Sequence, residues 1–177
     1  MAVKFVPVTT DEELKNLASL ADEIWHEYWP SLIGSDQTDY MVKKFQSFPR
    51  IAEDVRSGSY EYWLIRSATD NRVVGYTGGR EEQEDKRFFI SKIYLLATER
   101  GQGFASETLR FYENLCHERG LQSLYLTVNK HNDLGVRTYK AKGFETIDAV
   151  KTDIGEGYVM DDFIMEKHVG QGGEGEA

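Results

Sequence analysis

A chain of 177 residues has room for one domain and one substantial core, and 40% hydrophobic, 12% aromatic and 29% charged residues exclude a disordered or fibrous protein. No apolar run nears the ~20 residues of a membrane span, and MAVKFVPVTTDEEL turns acidic before a secretory core could form, so a cytoplasmic protein is expected. A net charge of -9 argues against non-specific nucleic-acid binding, and the single cysteine, Cys116, excludes an internal disulfide.

Residues 3–8, VKFVPV, alternate as a first strand that Pro7 places near an edge or an end. Thr10 and Glu13 fit a capping box. Leu14, Leu17, Ala18, Ala21, Ile24, Trp25 and Tyr28 then recur at three and four as the apolar face of a helix, which Pro30 is expected to end. A second helix is read over residues 37–47. Pro49 opens a short third piece with Ile51 and Val55 inward and Gly58 as its stop. From Tyr60 the period becomes that of strands: YEYWLIRSA, a turn at residues 69–72 and VVGYTGGRE form a hairpin, and a charged link leads to a third strand over residues 87–95.

The rest of the chain is organised around residues 93–106, IYLLATERGQGFAS, where that strand breaks into a glycine turn and a helix begins at once. Such a turn leaves backbone N–H groups without intrahelical partners at the positive end of the helix, and glycines let a phosphate approach the main chain. The helix runs to Arg119 with Gly120 as its stop, with Cys116 inside it as a small buried thiol. LQSLYLTV, residues 121–128, is the next strand. Strand, crossover helix and strand make a parallel pair. Asn132 N-caps a helix over residues 133–141 that Gly143 ends, two closing strands turn near residues 154–157, and the glycine-rich acidic tail, residues 170–177, is too polar to order itself. Residues 1–169 therefore read as a single domain of mixed α/β class. Its charge is uneven, at -7 over residues 1–85, +3 over 86–150 and -5 over 151–177.

Two blocks together carry a resemblance. Arg100, Gly101, Gln102, Gly103, Phe104 and Ala105, followed by Asn132, Tyr139 and Lys142-Gly143-Phe144, resemble the signature of the GNAT superfamily of N-acetyltransferases, which move an acetyl group from acetyl-CoA to an amine. The resemblance implies a central mixed, mostly antiparallel sheet with one splayed parallel pair and helices on both faces. It implies that the backbone at Ile93 and Leu95 bonds the pantetheine and that the Leu95 N–H polarises the acetyl carbonyl. The N–H groups from Gln102 to Ser106, with Arg100 as formal charge, would hold the pyrophosphate. Asn132 would bond the pantetheine, and Tyr139 would protonate the leaving thiolate. Trp25, Glu27, Tyr28, Asp161 and Asp162 would surround the acceptor, with His26 and Trp29 nearby.

Two departures stand out. Gly135 replaces the family's usual alanine, and the strand that often carries a glutamate base reads FFISKIYLL, offering Ser91 and Lys92. Glu81 and Glu82 are near in sequence only, and as such read as turn charges. The acidic flanks point to a cationic amine, whether small molecule or peptide, and a homodimer stays open. A CoA-binding module without turnover is the alternative, supported by the missing glutamate. A nucleotide-binding phosphate loop is disfavoured because no Gly-Lys-Ser/Thr follows the glycines, and no metal site is read.

Overall fold

The capping box forms as read: Glu13 N–H donates to Thr10 Oγ1 at 3.2 Å and Thr10 N–H to Glu13 Oε1 at 2.9 Å, opening α1, Asp11–Tyr28. The computed structural model describes residues 2–169, and the tail expected from residue 170 lies outside them. Strand β1 is Val3–Pro7. Pro30 ends α1 as expected. It takes the first position of a new turn, α2, Pro30–Ile33, where its missing N–H costs nothing. Helices α3, Ser35–Phe45, and α4, Phe48–Arg56, follow. Strands β2, Glu61–Ser67, β3, Val73–Glu82, and β4, Arg87–Leu95, come next, then α5, Phe104–Arg119, β5, Ser123–Asn129, α6, Asp133–Ala141, β6, Glu145–Gly155, and β7, Tyr158–His168. The seven strands form one sheet in the order β1-β2-β3-β4-β5-β7-β6, flanked by helices.

The residues group into two compact units, Met1–Arg80 with Lys92–Thr108, and Glu81–Ser91 with Leu109–Ala177. In the first, β1 pairs antiparallel with β2 from Val3↔Ser67 to Pro7↔Trp63, and β2 pairs antiparallel with β3. Helix α1 buries Leu14, Leu17, Ala21, Ile24 and Trp25 and packs on α3 and α4. Phe104, the first residue of α5, packs with Val3, Ile65 and Val74, with Phe5 and Leu95 partly buried against them. Tyr94, next to Leu95 and so on the opposite sheet face, meets the rings of Trp25 at 5.3 Å and Tyr76 at 5.5 Å.

In the second unit β4 and β5 are parallel, as expected of a strand, crossover helix and strand, with Arg87–Ile90 opposite Ser123–Leu126. Strand β7 runs antiparallel to both β5 and β6. Helix α5 buries Leu109, Tyr112 and Cys116, with the Tyr112 ring 5.2 Å from that of Phe88. Burial pushes the Cys116 thiol up to about 12, which keeps it protonated and inert as read from its place in the helix.

Candidate active site

The first unit contains the glycine turn. After β4 the chain makes one 3₁₀ turn, Ala97–Glu99, and Gly101 and Gly103 then take φ of +80° and +83°, where a side chain would be strained although nothing lies within 4 Å of either added Cβ. The first backbone bond of α5 runs from Glu107 N–H to Gly103 O at 3.1 Å. Among the described residues the N–H groups of residues 101–106 therefore have no hydrogen-bond acceptor. Six consecutive free donors at the positive end of a sixteen-residue helix fit a pyrophosphate.

The turn is anchored by residues that periodicity does not single out. Arg72 grips Glu99 with two bonds, Nε to Oε2 and Nη2 to Oε1, both 3.0 Å, and Gln102 Nε2 donates to Glu99 Oε1 at 3.3 Å. The Arg72 guanidinium holds the Glu99 carboxyl below the usual range. Arg100 is engaged elsewhere. Its Nη1 and Nη2 bond Glu27 at 3.1 and 2.7 Å, its Nε donates to Leu95 O at 3.2 Å, and its guanidinium lies 5.1 Å from the Tyr28 ring centroid. Glu27, read as an acceptor residue, thus neutralises the arginine read as phosphate charge.

At the end of β4 the peptide orientation is fixed by close approach. A Cβ on Gly75 would stand 2.2 Å from Tyr94 O, so that carbonyl faces β3. Among the described residues there are no cis peptides, so the N–H of the same peptide, that of Leu95, points away from β3. Ile93 shares the sheet face of Leu95 by strand alternation. The Leu96 N–H turns back to Val74 O at 2.9 Å, consistent with the alternation.

Trp25 is buried and donates Nε1–H to Tyr76 Oη at 3.0 Å, and Tyr76 in turn donates to Gln46 Oε1 at 3.1 Å. The Trp29 ring lies 5.5 Å from Trp25 and 5.1 Å from Tyr28, with its Nε1–H buried and unbonded. His26 faces outward, its Nδ1 2.9 Å from Asp22 O and its Nε2 2.6 Å from Asp39 Oδ1, and these bonds raise its pKa. It is a clasp between α1 and α3. On β4, Ser91 is half-buried, whereas Lys92 is buried against Tyr62.

The second unit carries the second block. Asn132 accepts from Gly135 N–H at 3.0 Å as the cap of α6. Gly135 also has a packing reason: a Cβ there would come within 2.7 Å of Asn132 Nδ2 and 3.1 Å of Val128 Cγ2. Tyr139 is half-buried, edge-on to Phe144 at 5.7 Å. Asp161 pairs with Lys130 at 2.8 Å, and that bond holds its carboxyl low. Asp162 is buried, and burial, reinforced by the Asp161 charge, raises it to about 6. Glu81 pairs with Arg119 at 3.1 Å, while Glu82 accepts from Arg87 at 2.9 Å and from Tyr125 Oη at 2.6 Å, so both end β3 in structural bonds.

The model of the acetyltransferase (GNAT) family matches residues 21–144. Among solved structures, the PaiA N-acetyltransferase of Thermoplasma acidophilum, in complex with coenzyme A, aligns with a TM-score of 0.76 at 20% identity, over 95% of this chain and 99% of that one. The spermidine/spermine N-acetyltransferase SpeG of Vibrio cholerae, with manganese ions, aligns with a TM-score of 0.65 at 13% identity, over 95% of this chain and 93% of that one. At these identities the structures share a fold. A search of curated proteins returns no match. Two signature blocks, the sheet order and a family match over most of the chain agree: this protein belongs to the acetyltransferase (GNAT) family.

Proposed function

We propose that the protein transfers an acetyl group from acetyl-CoA to a cationic primary amine by direct attack, with both substrates bound together. The observation that carries this reading is the row of six free N–H groups over residues 101–106, which suits the cofactor's pyrophosphate. Because Glu27 neutralises Arg100, the backbone rather than that side chain supplies the anion affinity. Acetyl-CoA brings an activated acyl group. The Leu95 N–H polarises its carbonyl, Ile93 and Asn132 hold the pantetheine arm, and Tyr139 gives the departing sulfur its proton, since a phenol of ordinary pKa ~10 is protonated at neutral pH. The family match, residues 21–144, draws on both units, which supports reading residues 1–169 as one functional domain.

The acceptor is assigned by charge. Both acidic segments flank the one basic segment, so a cation is attracted where an anion is repelled. Of the residues read as acceptor contacts, Trp25, Glu27 and Asp161 bond Tyr76, Arg100 and Lys130. Spermidine and spermine, named for SpeG, are the first amines to try. The cofactor half is tested by calorimetry on Gly103→Asp, which sets a side chain and a negative charge at the turn. A folded variant should lose most of its affinity for acetyl-CoA, and unchanged affinity sinks the assignment.

A further inference from the structure

An amine attacks a thioester only after its ammonium loses a proton, and residues 88–95, where a glutamate often serves, contain no carboxylate. Lys92 stands there instead, 9% exposed, although lysines are almost never buried without a charged partner. Its Nζ donates to Tyr62 Oη and lies 4.6 Å from the Tyr62 ring centroid and 5.8 Å from that of Tyr60. The Tyr62 ring lies so close over β3 that a Cβ on Gly78 would meet it at 2.7 Å, and Thr77 Oγ1 fixes the strand by donating to Lys92 O at 2.5 Å. The side chain is therefore held rather than loosely enclosed.

Of the charges facing it, Asp54 favours an ammonium more than Arg50 opposes one, and burial outweighs both. Helix α4 presents Asp54, already paired with Arg50 at 3.2 Å, and β3 presents Arg80, which donates to Tyr60 Oη at 3.0 Å. Burial, more than the Arg50 charge, lowers Lys92 to about 7, with Asp54 opposing. Lys92 shares a sheet face with Tyr94, whose ring touches Trp25, so the amine borders the aromatic cluster at the end of α1.

We propose that Lys92 Nζ is the proton acceptor for the amine substrate, a role that rests on the acetyl-transfer reading. Of the two protons lost by the ammonium, the first passes to the Nζ lone pair. The free amine then forms the N–C bond as the C–S bond breaks, the second proton ends on sulfur, and Lys92 returns its proton to water. Buried lysines lowered toward neutrality are suited to this work.

The test is the pH profile of kcat/KM for wild type, Lys92→Met and Lys92→Arg, with thermal melts to establish folding. Wild type should lose activity on the acid side of neutrality. Both variants should fall about 10²- to 10⁴-fold at neutral pH and climb steadily toward high pH, where solution supplies free amine. Arginine keeps an alkyl stem and a positive charge but stays protonated and cannot accept a proton, so wild-type rates or an unaltered acid limb in Lys92→Arg overturn the role while leaving acetyl transfer intact. NMR titration of the Lys92 side chain gives a readout independent of activity: titration near neutrality is expected, and a group still charged above about pH 9 overturns the role. If folded wild type acetylates no amine, the transfer reading itself fails and takes this role with it.

Discussion

Tyr139 and Asp162 are positions where removing one atom or one charge isolates one effect. Tyr139→Phe keeps the edge contact with Phe144 and deletes the hydroxyl, so turnover should fall about 10²- to 10⁴-fold with acetyl-CoA affinity unchanged by calorimetry. Undiminished turnover would make Tyr139 a packing residue. For Asp162, the folded value of about 6 lies above the ordinary carboxylate range, so the stability it contributes is present below about pH 4 and lost as pH rises through 6. Asp162→Asn should therefore raise the urea midpoint at neutral pH, with the gain vanishing toward pH 4; a midpoint difference that ignores pH contradicts this. The chemistry of these side chains was legible in the sequence, but their partners were not. Arg100 reads as a free cation because Glu27 is 73 positions away, and nothing local announces that α4 will bring Asp54 and Arg50 to face Lys92.

Elements were legible where the signal is local. The Thr10–Glu13 box, the stops at Gly120 and Gly143 with φ of +71° and +95°, and helix α6 all depend on residues within a turn of one another. Pro30 ends α1 as expected, and the short α2 that it opens went unread although the signal is equally local, since a proline that ends one helix can also open the next. In α4 the expected inward residue Val55 is half-buried while Asp54 is buried, because the ion pair with Arg50 makes that burial tolerable. What no window could show is the strut under the glycine turn, where Arg72 meets Glu99 from 27 positions away. Arg72→Ala should leave the chain folded yet weaken acetyl-CoA binding about tenfold, as the loss of one charge-assisted contact implies. Arg72→Lys, lacking the two-bond fork, should recover only part. Calorimetry with equal affinities for all three proteins would show that the turn needs no strut.

At the scale of the molecule, the glycine turn and the second block identified the family because their order and spacing survive without any tertiary information, whereas the acceptor is set by surfaces assembled from distant segments. The charge map is the whole-molecule property that bears on it: net -9, with the basic excess confined to residues 86–150. Attraction of this kind is screened over the ~10 Å Debye length at 0.1 M salt, so the rate with the best amine should fall as salt is added. One measurement bears most directly on the account: release of CoA thiol by the wild-type protein with cationic, neutral and acidic amines, with the amines weighed in the same mixtures. The account predicts one thiol per N-acetylated product, fastest for cationic amines and slowed by salt. Acetyl-CoA bound without thiol release above hydrolysis for any amine would contradict it and leave a cofactor-binding module without turnover.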